Sequence, residues 1–204
     1  CIRDRNKYDD ALTYFDSLMA FYGDSPAYLR AMVSRPLCYI RQGLLDEAQA
    51  VLQQNLSRSL EGEFREQSLF DLARVQLFMK EIDSSKNTMN RLLAEMPRGM
   101  YVNDVVRLLY TLQQAQGNNQ LLYDYSNARF FMERQMEDSA RAKLILIAEA
   151  EDSSLADVAL FELAQLYLSS SDTLAAVEFI DRLVNSYPES YFLPYGLKIK
   201  ADFY

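Results

Sequence analysis

Carboxylates and one internal cysteine are the side chains in this chain with the most chemical potential. Acidic pairs occur at Asp9 and Asp10 and at Asp46 and Glu47, and a third acidic group lies at 149–152. Each group falls at the expected start or end of a helix, where carboxylates are solvated and interact with the helix dipole. Cys38 lies in an apolar segment and is expected to be a small core residue. These residues therefore indicate structural roles.

The residue types that most enzymes use are missing from the sequence. It contains no His, which is the commonest acid–base catalyst near neutral pH and the commonest metal ligand. It also lacks a Gly-rich phosphate loop, a Gly-x-Ser-x-Gly motif and a paired-Cys motif. The sequence predicts a protein that is not an enzyme and that holds no cofactor and no metal.

The charge and hydropathy of the chain narrow the possible partners. Asp and Glu number 29 against 21 Lys and Arg, which gives a net charge of −8 and argues against a nucleic-acid partner. No apolar run reaches the ~18 residues that a membrane-spanning helix needs. Two cysteines cannot form a disulfide framework. The expected partner is a protein or peptide.

A repeated segment is the strongest pattern in the chain. Residues 68–97 match residues 159–188 without a gap, 91 positions later, and eight of the thirty aligned residues are identical. We call 68–97 with the residues that flank it the first copy, and 159–188 with its flanking residues the second copy. Each copy has apolar residues at helical spacing on both sides of a polar break, which predicts two helices. In the second copy the break contains Ser171 and Asp172, either of which can cap the second helix.

The two copies resemble the tetratricopeptide repeat, a pair of antiparallel helices called A and B. The resemblance in the second copy rests on Leu163, Ala164, Tyr167, Ala176, Ile180, Leu183 and Pro188. The first copy has Leu72, Ala73, Gln76, Ser85, Met89, Leu92 and Pro97 at these positions and departs from the pattern at Gln76 and Ser85. The resemblance implies an all-α, right-handed superhelix of about four to five helix pairs, some degenerate, over 1–204 as one domain.

The tetratricopeptide-like pattern of the two copies predicts further helix pairs along the chain. Small residues expected at the helix crossings fall at Ala11, Ala48, Ser85, Ala140 and Ala176, with steps of 37, 37, 55 and 36 residues. Pro36 predicts a kink or a late start of helix A in the second of these units. The long step is explained by an extra amphipathic helix at 101–117, which would change the superhelical direction near 117–120. Alternatively, 101–134 is a degenerate repeat.

The resemblance also implies a concave surface formed by the A helices. The second and fifth positions of each helix A face this surface, and they include Arg30, Val33 and Gln67. The candidates for partner binding are Arg41, Phe70, Arg74, Phe78, Tyr125, Arg129, Phe161 and Gln165. Arginine can bind a carboxylate through two hydrogen bonds while aromatic rings accept apolar side chains. Packing between neighbouring repeats and ordinary ion pairing are the alternative roles. Charge reversal at Arg74 or Arg129 is expected to weaken partner binding without loss of helical circular dichroism.

The two ends of the chain carry weaker signals. Cys1 is either the lipidated first residue of a bacterial lipoprotein or a point of truncation. The C-terminal aromatics, Tyr187, Tyr191, Phe192, Tyr195, Phe203 and Tyr204, are expected to be covered by further repeats or a partner, and they offer a surface for self-association. The Tyr-Pro-x-Ser ending of the second copy resembles repeats of bacterial cell-envelope proteins, which points to the envelope or periplasm.

These observations predict a non-catalytic protein-interaction scaffold that binds a peptide or a partner subunit, as part of a longer protein. One alternative is an envelope lipoprotein in a membrane-associated assembly. The other is a regulatory or recruiting domain of a larger enzyme.

Overall fold

A computed structural model describes residues 2–23, 25–58 and 60–203, with side chains from Lys7 onward. Two residues with sequence-based predictions, Cys1 and Tyr204, lie outside the described residues.

Every regular element in the described part of the chain is an α-helix, which confirms the predicted all-α class. The eleven helices are α1 (Ile2–Phe21), α2 (Pro26–Gln42), α3 (Leu45–Ser57), α4 (Gly62–Phe78), α5 (Ile82–Glu95), α6 (Val102–Gln114), α7 (Asn119–Glu133), α8 (Glu137–Glu149), α9 (Ala156–Ser169), α10 (Thr173–Ser186) and α11 (Leu193–Ala201). The described residues contain no strand.

Successive helices pack in pairs, as the helical-repeat interpretation predicts. Contacts join α2 to α3, α4 to α5 and α9 to α10, and an ion pair between Lys143 and Asp124 joins α8 to α7. The predicted crossing residues Ala48, Ser85, Ala140 and Ala176 have no exposed surface. Small side chains allow two helices to approach closely, so these positions fix the pairs.

Local signals set the ends of several helices. The Ser25 hydroxyl caps α2 by accepting from the Tyr28 N–H at 3.1 Å, and Gly43 ends α2 with a φ of 84°. Glycine adopts this left-handed conformation at little cost. The Asp172 carboxylate accepts from the Ala175 N–H at 3.1 Å, which confirms the predicted cap of α10. The predicted late helix start at Pro36 is wrong, because α2 begins at Pro26 and continues through Pro36.

The predicted amphipathic helix at 101–117 is present as α6. Its buried side chains, Val105, Leu108 and Leu112, follow helical spacing, and Val106 is exposed. Gly117, at a φ of 91°, follows the helix, and the Asn118 side chain then accepts from the Leu121 N–H in the first turn of α7.

The chain divides into two compact units. The first comprises Cys1–Leu109 with Glu133–Gln135, and the second comprises Tyr110–Met132 with Met136–Tyr204. One boundary therefore falls inside α6, and the others lie on either side of 133–135. The single solenoid over 1–204 and the change of direction near 117–120 stay predictions.

Candidate functional site

The first unit contains an open cavity of about 340 Å³ that coincides with predicted positions of the concave surface. Its lining comprises Arg30, Val33 and Ser34 of α2, Glu63, Phe64 and Gln67 of α4, and Met100 and Tyr101 just before α6. Arg30 and Glu63 are exposed, and Met100 exposes 70% of its surface. The cavity thus presents one cation, one anion and one flexible apolar side chain to solvent.

Two contacts fix Tyr101 in the wall of this cavity. Its ring stacks on Phe70 with a centroid distance of 4.4 Å and an interplanar angle of 12°. Its backbone N–H donates to the buried Glu66 carboxylate at 2.7 Å. Burial raises the pKa of the Tyr101 phenol, and the charges of Asp71 and Glu66 raise it further. The wall is therefore a rigid, uncharged aromatic surface.

The predicted arginines of the first unit bind carboxylates of the same unit. Arg74 donates to Asp71 at 3.1 Å and also to Glu133, and its guanidinium lies over the rings of Phe70 and Phe78. Arg41 forms an ion pair with Glu133 at 3.5 Å, although its Nε makes no directional hydrogen bond.

Burial raises the pKa of the Asp71 carboxyl group and is the largest cause of its shift. The charge of Arg74 and its hydrogen bond lower this pKa. The attraction of Arg74 therefore offsets only part of the effect of burial on the pKa of Asp71.

A comparable arrangement occurs in the second unit. The Tyr125 hydroxyl donates to Glu162 Oε1 at 2.9 Å, and Arg129 Nη1 donates to the same oxygen at 2.7 Å. The Glu162 carboxylate raises the pKa of the Arg129 guanidinium. Glu162 Oε2 is buried and has no hydrogen-bond partner among the described residues. Removing the charge of Glu162 would leave Arg129 without its counter-ion.

The aromatic candidates divide by exposure. Phe78, Tyr125 and Phe161 expose only 6%, 2% and 3% of their surface, so in this conformation they pack inside the protein. Phe70 is half-buried beneath Tyr101, and Gln165 is exposed on α9. Three of the predicted aromatics are therefore packed inside the protein, and Arg41, Arg74 and Arg129 form ion pairs. That these residues bind a partner stays a prediction.

Sequence reasoning missed five residues of the first-unit cavity, namely Ser34, Glu63, Phe64, Met100 and Tyr101. A usable signal existed for Tyr101, because the 91-residue offset places it opposite Phe192, another aromatic residue. The offset match therefore continues past residue 97 into the start of the next helix.

Other predicted features have structural roles. Cys38 is a buried core residue, as expected, and burial raises the pKa of its thiol. Asp46 and Glu47 lie in the first turn of α3. Among the described residues no cluster of three or more His, Cys, Asp or Glu is arranged to hold a metal ion. None of the described helices has the length and apolar character needed to cross a membrane.

Comparison with known proteins agrees with the repeat architecture. Residues 158–190, which include most of α9 and all of α10, match the family model of the tetratricopeptide repeat. A search of curated proteins found no match. The family suggests a protein–protein interaction scaffold and is generally non-catalytic.

Proposed function

We propose that this chain, with its tetratricopeptide-like helical repeats, is a non-catalytic scaffold that binds a segment of a partner protein in the cavity between α2 and α4. The observation that carries this proposal is the lining of the cavity. Arg30, Val33 and Gln67 are the predicted concave positions of two successive A helices, and all three meet at one open cavity.

The lining defines the chemistry of the partner segment. Arg30 binds a carboxylate, because guanidinium forms paired hydrogen bonds with it. Met100, which is flexible and exposed, packs on a neighbouring apolar side chain of the partner. Tyr101 and Phe64 form the apolar wall behind it. The proposed ligand is an extended segment with an acidic residue next to an apolar one.

Arg30 and Met100 are better test positions than Arg74 or Arg129. Charge reversal at Arg129 would place a carboxylate beside buried Glu162, and reversal at Arg74 would do the same beside Asp71 and Glu133. Each change would lower stability, so a loss of binding would not identify the surface. Charge reversal at these two arginines would therefore change stability as well as any binding.

The test begins with selection of binders from a randomised peptide library on the purified chain. We expect enriched peptides that combine an acidic and an apolar residue, and we expect Arg30→Glu to weaken them about tenfold, because a charged hydrogen bond is lost. The matched control is Arg98→Glu, which reverses another exposed arginine outside the cavity. Circular dichroism checks that both variants fold. Equal affinity of the wild type and Arg30→Glu for the selected peptides would refute the proposal.

A further inference from the structure

The second unit contains a larger open cavity, of about 430 Å³, that includes none of the predicted concave positions. It lies between the second half of α6, the turn before α9 and the segment after α10. Its lining residues are Tyr110, Gln114, Ser153, Ser154, Asp157, Ser186, Tyr187, Pro188, Glu189 and Ser190. Its volume falls within the ~300–1,000 Å³ typical of ligand sites.

Contacts within the protein hold the walls of this cavity in place. Asp157 Oδ2 accepts from the Ser190 hydroxyl at 2.6 Å, and Ser190 Oγ in turn accepts from the Phe192 N–H at 3.0 Å. The Tyr110 ring lies 5.2 Å from the Tyr191 ring, and this contact holds Tyr110 in the lining. A cavity that is ordered before binding loses little entropy when a ligand enters.

The charged residues of the cavity lining are all acidic. The lining includes two carboxylates, Asp157 and Glu189, and no Lys or Arg among the described residues. Other carboxylates of the second unit, on α8 and α10, do have cationic partners: Glu149 pairs with Arg182 at 2.6 Å and Asp181 with Lys200 at 2.5 Å. The negative charge of the cavity is thus available to a ligand.

The remaining lining groups favour a particular cation. The hydroxyls of Ser154 and Ser186 and the Gln114 side chain supply further hydrogen-bond acceptors, and Tyr110 and Tyr187 supply aromatic rings. A guanidinium group has five N–H donors and a flat face that stacks on aromatic rings. An ammonium group would use the carboxylates but would leave more of these acceptors without a donor.

We propose that this cavity binds an arginine side chain of a partner protein. Glu189 and Asp157 provide the counter-charge, the serine hydroxyls accept the remaining N–H groups, and a tyrosine ring packs on the guanidinium face. The site is independent of the cavity between α2 and α4, so either can fail its test without affecting the other.

The test uses a blocked Gly-Arg-Gly peptide and the matched Gly-citrulline-Gly peptide, which has nearly the same shape but no charge. Titration into the isotopically labelled chain is followed by amide chemical shifts in NMR. We expect the arginine peptide to shift the amides of the cavity residues saturably, and the citrulline peptide to shift them at least fivefold less at equal concentration. Equal shifts with both peptides, or shifts outside the cavity alone, would overturn the proposal.

A variant separates this site from general attraction to an acidic protein. Glu189 is exposed, so Glu189→Gln should fold normally and should weaken the arginine peptide about fivefold, the upper range for an exposed charge pair. The control is Glu151→Gln, which removes an exposed carboxylate from the nearby turn outside the cavity lining and should leave affinity unchanged. Equal weakening by both variants would show that net charge alone attracts the peptide and would refute the site.

Discussion

The first and second copies of the repeat make the same contacts with different side chains. In the first copy, Phe70 of α4 packs on Tyr101 at 4.4 Å, and in the second copy Phe161 of α9 packs on Phe192 at 5.1 Å. The residues of each pair are related by the 91-residue offset. In both copies an aromatic residue of helix A thus holds the start of the helix that follows helix B.

In both copies a hydrogen bond holds the backbone N–H of the residue just before this following helix, and different side chains form it. In the first copy, Glu66 reaches the Tyr101 N–H directly at 2.7 Å. In the second copy the shorter Asp157 takes the place of Glu66, and the Ser190 hydroxyl bridges the gap to the Phe192 N–H. In the alignment of the two copies, Gly99 is the counterpart of Ser190. A side chain at position 99 would overlap the Glu66 carboxylate. A long carboxylate therefore accompanies glycine, and a short one accompanies serine.

Buried carboxylates at another equivalent pair of positions differ in their partners. Asp71 pairs with Arg74 of its own helix, whereas Glu162 pairs with Arg129 and Tyr125 of α7. Arg74 also donates to Glu133. Glu162, in contrast, accepts from both Tyr125 and Arg129 on the same oxygen, Oε1. The offset match therefore preserves the position of a buried carboxylate without preserving its counter-ion.

The largest expected difference between the copies is at these two carboxylates. Glu162→Gln should lower the free energy of unfolding by about 2 kcal/mol, because the Arg129 guanidinium loses the attraction of its counter-ion. Asp71→Asn should cost less than about 1 kcal/mol, because Arg74 keeps Glu133 and the burial of the Asp71 charge is relieved. Urea unfolding of the two variants measures both values. Equal losses would mean that the different partners have no energetic consequence.

A smaller effect is expected where the two copies use different residues to reach the same backbone N–H. Gly99→Ser should cost about 1 to 2 kcal/mol, since it displaces the Glu66 carboxylate and leaves the Tyr101 N–H without its acceptor. Adding Glu66→Asp recreates the pair found in the second copy and should restore at least half of the loss. The control is Gly23→Ser, where a side chain would meet no neighbour. Additive losses in the double variant would rule out the proposed compensation.

The smallest expected effect is on acid stability. Arg65 and Arg91 lower the pKa of the Glu95 carboxyl from 4.5 to about 2 through hydrogen bonds. Since this pKa is lower in the folded state, the stabilisation is complete above about 4.5 and is lost as the pH falls towards about 2. The second copy has Ala156 and Ser186 in place of Arg65 and Glu95, so it lacks this response. NMR titration should show a low pKa for Glu95 and a higher one in Arg65→Gln; a pKa near 4.5 in the wild type would contradict the prediction.

The sequence predicted the helices well and the partners of charged residues poorly. Apolar spacing, Asp172 and the crossing residues such as Ala48 and Ser85 act within one helix pair, so a single sequence contains the information. The pairing of Arg129 with Glu162 joins residues 33 positions apart, and the pairing of Arg74 with Glu133 spans 59. Such distances depend on how successive A helices pack, which helical periodicity within one element does not specify. The same limit explains why predicted groove aromatics such as Phe78 are buried.

In each copy a hydrogen bond links helix A to the start of the helix that follows helix B, through Glu66 and Tyr101 or through Asp157, Ser190 and Phe192. These bonds determine where the chain can be cut into segments, here called cassettes, that could be exchanged between repeats. A cassette cut at the end of helix B would carry Glu66 without Gly99 and Tyr101, or Asp157 without Ser190 and Phe192, and would bring a carboxylate of the wrong length to the new junction. A cassette that ends after residue 101 or residue 192 keeps each carboxylate with the backbone it was fitted to. Recombination or engineering of such repeats should therefore take the first residues of the next helix along with the pair.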